Sequence, residues 1–237
     1  MLWKVRHRLA QWLIDPRGVI KKHAKDQPAI NLCGDRDIEW TWVMANLPEG
    51  RGENALDFGN GGSPLGLASA MRGYNVTAVD LCNVEWLYEH PNLHFVRGDI
   101  LKMDLPSRSF NLVINCSTVE HVGLPNRFGV IDNLDDGDLM AMQRLRELMK
   151  PGAIMLLTVP VGRDEVFPPM CRIYGQERLP KLLAGYKVYK EQFWLKNEQN
   201  KWTISKRDVS LAYRTYGGDL DPHRNWMGLG CFFLGVS

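Results

Sequence analysis

Leu56-Asp57-Phe58-Gly59-Asn60-Gly61-Gly62-Ser63-Pro64 is the stretch whose reading decides the fold. The apolar run Ala55-Leu56-Asp57-Phe58 enters it, and Leu65 to Met71 leaves it as a helical run that stops at Gly73. Ser63 reads as an N-cap and Pro64 as the first helical residue. A strand therefore passes through a glycine-rich turn into a helix. Glycines there let the backbone approach a ligand, and the positive end of a helix favours an anionic group. In an open parallel sheet, ligands bind beyond the carboxyl ends of the strands where strand order reverses, which is where this turn falls.

Working outward, Tyr74 to Asp80, Leu93 to Val96, Phe110 to Asn115 and Ala153 to Val159 are further short apolar or β-branched runs, each followed by polar, Gly-rich or helical sequence. They read as strands. Asp37 to Leu47 and Asp138 to Lys150 read as helices, the second with Leu139, Met142, Leu145, Leu148 and Met149 at helical spacing before Pro151-Gly152. Tyr186 to Trp194 and Leu229 to Val236 read as a late antiparallel strand pair at one edge. The fold class expected is α/β: a Rossmann-like, doubly wound, mostly parallel sheet with that late pair, preceded by an N-terminal helical segment.

Bulk composition fits this. The chain has 237 residues, 45% apolar and 24% charged, average values for a folded domain. The longest apolar run, Trp226 to Val236, is too short to span a bilayer. Five scattered cysteines, Cys33, Cys82, Cys116, Cys171 and Cys231, show no C-x-x-C spacing, so neither a disulfide frame nor zinc is expected. Charge is uneven: residues 1–25 carry +6 and the remainder −4. A body of that sign is a poor general nucleic-acid binder. Residues 1–36 form a basic amphipathic segment, with Leu2, Trp3, Val5, Leu9, Trp12 and Leu13 among basic residues, and 37–237 the main domain. The segment reads either as a lid or as a peripheral membrane anchor through residues 1–25. Without a signal peptide's apolar region, a cytoplasmic location is expected.

Asp80, which ends the second strand 19 residues after Gly61, is in register to bind a ribose diol. Two cofactors suit such a site, a nicotinamide dinucleotide and S-adenosyl-L-methionine. The dinucleotide pattern G-x-G-x-x-G would place its third glycine at Pro64, or its second at Ser63, so both registers fail.

An acid, Asp57, ending the first strand two residues before Gly59-x-Gly61 resembles the class I S-adenosylmethionine-dependent methyltransferases. The resemblance implies Gly59, Asn60 and Gly61 beside the methionine part of the cofactor, with Asp57 helping to hold its ammonium. It implies Asp80 and Leu81 at the ribose, Asp99 and Ile100 of Arg97-Gly98-Asp99-Ile100 at the adenine, and Asn115 at the end of the fourth strand. Leu148-Met149-Lys150-Pro151-Gly152 followed by Leu156-Leu157-Thr158-Val159-Pro160 resembles the family's turn into a fifth strand.

The fourth strand runs into Ser117-Thr118-Val119-Glu120-His121-Val122, which lacks the Asn/Asp-Pro-Pro-aromatic element of enzymes that methylate planar nitrogens. It resembles small-molecule methyltransferases instead. His121 reads either as a general base or as a structural histidine, and Glu120 either as a cofactor contact or as the group orienting His121. Asp132, Asp135, Asp136 and Asp138 suit loop and N-cap positions, so no metal is expected.

Val122-Gly123-Leu124, Asp136-Gly137-Asp138-Leu139 and Arg172-Ile173-Tyr174-Gly175-Gln176-Glu177-Arg178-Leu179-Pro180 resemble a methyltransferase-like family first named from nematode proteins, with bacterial relatives among glycan-assembly genes. Where that family carries Gly-Arg-Tyr-Gly and a His-Arg pair, this chain has Asn126-Arg127-Phe128-Gly129 and Cys171-Arg172. On this resemblance Arg127, Arg172 and Tyr174 are acceptor-binding candidates. The activity expected is methyl transfer to a small-molecule or saccharide-like (glycan) acceptor, at oxygen in preference to nitrogen. The rivals are a methyltransferase-like binding scaffold without turnover and a nucleotide-dependent oxidoreductase.

Overall fold

A computed structural model describes residues 35–85, 88–125, 128, 130, 133–197, 199, 201–214 and 227–236. The basic amphipathic segment lies outside the described residues, as do Cys33, Arg127 and Asp132. In chain order the elements are α1 (Arg36–Asn46), β1 (Asn54–Phe58), α2 (Leu65–Met71), β2 (Asn75–Asp80), β3 (Leu93–Arg97) and β4 (Phe110–Cys116). A 3-10 turn (Val119–His121) precedes α3 (Gly137–Leu148), β5 (Met149–Val161) and the short hairpin β6 (Glu165–Phe167) and β7 (Cys171–Ile173). Then come α4 (Arg178–Leu182), β8 (Lys187–Lys196), β9 (Trp202–Ser205), α5 (Arg207–Leu211) and β10 (Gly228–Gly235).

The main sheet is ordered β3-β2-β1-β4-β5-β10-β8-β9. The first five strands pair in parallel. β1 and β4 are continuous apolar runs because helices and loops cover both faces of the sheet there: Leu56, Leu112, Val113 and Ile114 have no exposed surface. Strand order reverses between β1 and β4, so their carboxyl ends, Phe58 and Cys116, open a crevice at the switch point.

The expected elements are present, with shifts that have local causes. Ser63 is not the cap of α2. Pro64 holds that position, and the Leu65 N–H reaches back to the Ser63 hydroxyl at 3.4 Å. Lys150-Pro151-Gly152 is not a turn outside the strand but an irregularity within β5, where the register with β4 slips between Phe110 and Leu112 and Gly152 takes a φ of 78°. The chain from β3 to β4 crosses without a helix, through turns at Thr-free, Asp- and Pro-containing sequence from Gly98 to Ser109. The two late strands pair antiparallel as expected, but β10 lies inside, between β5 and β8, and the edge strand is β9. Among the described residues no helix is long and apolar enough to cross a membrane.

On one face of the sheet, α3 and α4 press Leu145, Leu148, Leu179 and Leu182 onto Met155, Leu157 and Phe232. On the other, α1 and α2 bring Trp42, Val43 and Leu65 onto Ile114, Leu156 and Cys231. Phe232 has no exposed surface and meets the Phe193 ring edge-on at 5.7 Å between centroids. Truncation there leaves a cavity that β5, β8 and β10 cannot close by shifting. Phe232→Ala is expected to cost about 3–5 kcal/mol, read as a lower urea midpoint with an unchanged slope.

Candidate active site

The crevice at the switch point is a cavity of about 520 Å³. That volume suits a ligand of several tens of atoms. Its floor is the turn after β1, held by its own side chains. Asn60, itself buried, donates from Nδ2 to Asp57 Oδ2 at 2.6 Å and accepts the Gly62 N–H at 3.2 Å. Gly59, Gly61 and Gly62 have φ of 70°, 53° and 79°, in the left-handed region that side chains disfavour. A Cβ on Gly59 would also stand 2.0 Å from Thr118 Cγ2, because the turn after β4 lies directly against it.

Three acids end three successive strands and line this cavity: Asp57, Asp80 and, just past β3, Asp99. Asp80 accepts the Gly61 N–H at 2.9 Å on Oδ2 and the Cys82 N–H at 2.9 Å on Oδ1, which fixes both carboxylate oxygens at the cavity. Each oxygen has a second lone pair for a ligand hydroxyl. Asp99 accepts the Leu101 N–H at 3.0 Å and stands 3.8 Å from Lys102 Nζ. Leu81 and Ile100 line the same side. Asp57 is 2% exposed, and burial pushes its carboxyl up to about 6, against the pull of the Asn60 and Gly66 hydrogen bonds. A buried acid of this kind favours a cationic ligand, which would supply the missing counter-charge.

The opposite wall comes from the turn after β4 and the loop beyond it. His121 lines the cavity, and its Nδ1 lies 2.7 Å from the Met170 carbonyl between β6 and β7. A carbonyl only accepts, so Nδ1 carries a proton. Nε2 stands 3.7 Å from Glu120 Oε1, and the ring meets Phe128 edge-on at 5.6 Å. Glu120 is 2% exposed and is not part of the cavity wall. It stands beside Nε2, where a carboxylate stabilises the charged form of the ring.

Three expected site residues stand elsewhere. Asn115 is fully buried, with its amide directed to Met142 Sδ at 3.5 Å, because strand alternation turns its side chain toward α3 and away from the crevice. Arg172 and Tyr174 do not line the cavity either. The Arg172 guanidinium is 1% exposed and donates to the carbonyls of Val122 (2.6 Å) and Leu134 (2.8 Å), with Nε 3.7 Å from Asp138 Oδ1. The Tyr174 hydroxyl donates to Asp138 Oδ2 at 3.0 Å. Arg178 adds two more donors to the same carboxylate. These residues hold the back of the wall opposite the Gly59 turn, whose front is Val122, Gly123 and Leu134. Asp138 is thus committed to the two arginines, and among the described residues no group of His, Cys, Asp and Glu is placed to hold a metal.

Sequence reasoning missed the contribution of α1. Arg36, Glu39 and Trp40 line the cavity. Glu39 is 1% exposed, and its Oε1 accepts the hydroxyls of Ser117 and of Thr158, the latter at 2.8 Å. Burial, and next the neighbouring Asp35, push its carboxyl well above the usual range. The signal was there to read: Glu39, Trp42 and Val43 occupy one helical stripe, and an acid in an otherwise apolar stripe calls for a partner.

Residues 100–214 match a family described as "Caenorhabditis protein of unknown function, DUF268". No curated protein sequence matches the chain. Solved structures share the fold. The Burkholderia thailandensis 1,6-didemethyltoxoflavin-N1-methyltransferase, crystallised with S-adenosylhomocysteine, is 16% identical over 98% of this chain and 88% of that one, with a TM-score of 0.52. The (4+2)-cyclase SpnF is 15% identical over 83% and 80%, with a TM-score of 0.54. Haemonchus contortus phosphoethanolamine N-methyltransferase 2, in complex with S-adenosylhomocysteine, is 13% identical over 84% of this chain and 52% of that one, TM-score 0.54. The chain therefore shares its Rossmann-like α/β fold with these proteins. That one neighbour is a cyclase shows that the architecture alone does not decide the reaction.

Asp57 gives a test of the cavity's electrostatics. Its folded pKa lies above its unfolded one, so the native state holds the proton more tightly. Its burial then costs nothing below about pH 4 and costs progressively more up to about pH 6. Asp57→Asn removes that cost, and is expected to be as stable as wild type at pH 4 and more stable by about 3 kcal/mol at pH 7. Urea melts of both proteins across that range check it.

Proposed function

We propose that this chain is an S-adenosylmethionine-dependent methyltransferase acting on a small-molecule or saccharide-like acceptor, at a hydroxyl oxygen. The observation that carries the reading is the convergence of Asp57, Asp80 and Asp99 on one cavity with the Gly59–Gly61 turn. The residues fit the cofactor. A buried, cation-seeking Asp57 suits the methionine ammonium, the Asp80 carboxylate suits a ribose diol, and Asp99 suits an adenine amino group. The left-handed turn leaves room for a ligand backbone to approach, since a Cβ at Gly61 would find only the Gly59 carbonyl, at 3.8 Å.

When bound, the cofactor supplies an already activated methyl group on a sulfonium, so the protein's main contribution is alignment, a factor worth roughly 7 kcal/mol or more. The remaining chemistry is a proton. His121 lines the cavity, with Nδ1 at the Met170 carbonyl and Nε2 beside Glu120. It takes the acceptor's hydroxyl proton as the oxygen attacks, and Glu120 stabilises the imidazolium that forms. Phe128, Val130 and Leu134 make the acceptor side apolar.

Calorimetry with S-adenosylmethionine, S-adenosylhomocysteine and NADH tests the cofactor. Both sulfur compounds should bind, NADH should not, and Asp80→Ala should weaken binding by about tenfold or more. Tight NADH binding with no response to the sulfur compounds would overturn the reading. Incubation with labelled cofactor and a panel of sugars, nucleotides and phenols tests turnover. With the acceptor so found, His121→Ala should leave cofactor affinity unchanged and lower turnover by about 10²-fold or more. The acid limb of the pH–rate profile should disappear with it. Intact turnover with weakened cofactor binding would make the histidine structural.

A further inference from the structure

Glu39 has no part in the reaction as described above. Yet it is a nearly inaccessible carboxyl in the cavity wall, on the stripe of α1 that otherwise packs the core, held by hydroxyls from the turn after β4 and from β5. Retaining an acid there costs desolvation that a glutamine would avoid. We infer that Glu39 is the counter-charge for the positive centre of the transfer reaction, and so makes the site prefer the charged cofactor to its neutral product.

The placement supports this. Ser117, which donates to Glu39, follows Cys116 at the end of β4 and precedes Thr118, which lies against Gly59. Glu39 is therefore one residue removed from the junction where the two turns meet. Asp57, which stands at the other side of the Gly59 turn, serves the methionine ammonium on the reading above. The second cation of the cofactor is the sulfonium, and of the acids lining the cavity Glu39, buried against the turn after β4, is the one to which the reading above gives no part of the cofactor.

The charge balance of the reaction agrees. The S–C bond breaks with its electron pair left on sulfur, the C–O bond forms, and the hydroxyl proton passes to His121. Apart from the ammonium, which does not change, one positive charge is in the cavity before and after the step, first on sulfur and then on the imidazole. An acid in the wall of that cavity does not oppose the transfer. It does distinguish the two nucleoside ligands, because only the substrate form carries the sulfonium charge.

Other groups facing Glu39 bear on its ionisation. Asp35, at the start of α1, shares a side-chain hydrogen bond with Glu39 and opposes its charge, as does Glu120, beyond β4. Cys116 on β4 and Cys231 on β10 have thiols that burial, and next Glu39, push well above their usual range, so they stay neutral. Arg36 and, from β8, Lys196 act on Asp35. His121 stands beyond Glu120. With two acids opposing it, Glu39 gives up its proton most readily when a cation arrives. Proton release is thus the signature.

The inference rests on the cofactor reading, and one calorimetric experiment separates the two. Both S-adenosylmethionine and S-adenosylhomocysteine are titrated into the full chain from pH 5 to 8, in phosphate and in Tris, whose ionisation enthalpies differ. The two ligands share the ammonium, so any proton released at Asp57 cancels in the comparison. Wild type is expected to release more protons on binding S-adenosylmethionine. Glu39→Gln, which keeps both hydroxyl contacts, should abolish that excess and reduce the preference for S-adenosylmethionine over S-adenosylhomocysteine by about fivefold or more, the scale of one partly screened charge pair. Equal proton release by the two ligands in wild type overturns the inference whether or not the variant folds, as does an unchanged preference in a folded variant. Failure of both ligands to bind would instead overturn the cofactor reading.

Discussion

The parallel pairing of β1 with β4, which sets Phe58 beside Asn115, is the constraint from which the rest of the site follows. Where two neighbouring parallel strands send their connections to opposite faces, the sheet must open at their ends. Here that opening is narrow enough for Thr118 to lie against Gly59, so only glycine is accommodated on the β1 side. The Gly59 turn presents Asn60 to Asp57 and Gly61 to Asp80. The turn after β4 presents Ser117 to α1 and His121 to the far wall. One strand pairing thus brings together groups from four separate parts of the chain: α1, the turn after β1, the end of β2 and the turn after β4.

This explains which parts were legible in the sequence. Strands buried on both faces appear as uninterrupted apolar runs, and β1, β2 and β4 were located to within a residue or two. The turn after β1 is local, so its glycines, Asn60 and Asp57 could be assigned together. Asp80 and Asp99 were legible because a strand end has a fixed position relative to its neighbour. Asn115 was misplaced by the same logic: it too ends a strand, but alternation turns its side chain to the opposite face.

What was not legible depends on contacts distant in sequence. Nothing near Arg172 indicates that its guanidinium is enclosed. That follows from carbonyls about 40 to 50 residues earlier, and resemblance to a family gave the position without the surroundings. The β6–β7 hairpin has strands of three residues each, too short for any periodicity to show. Glu39 was visible as an anomaly in a helical stripe, but its meaning required the 78-residue and 119-residue contacts to Ser117 and Thr158.

The way Arg172 grips the wall opposite the Gly59 turn has an evolutionary corollary. On that wall it bonds to main-chain carbonyls, those of Glu120, Val122, Leu134 and Asp135. These bonds hold the backbone at the two ends of the loop independently of which side chains those four positions carry, because a carbonyl is the same in every amino acid. A fold held in this manner can change what its cavity admits by point substitution at that wall, with the scaffold behind it and the Gly59 turn across from it left undisturbed.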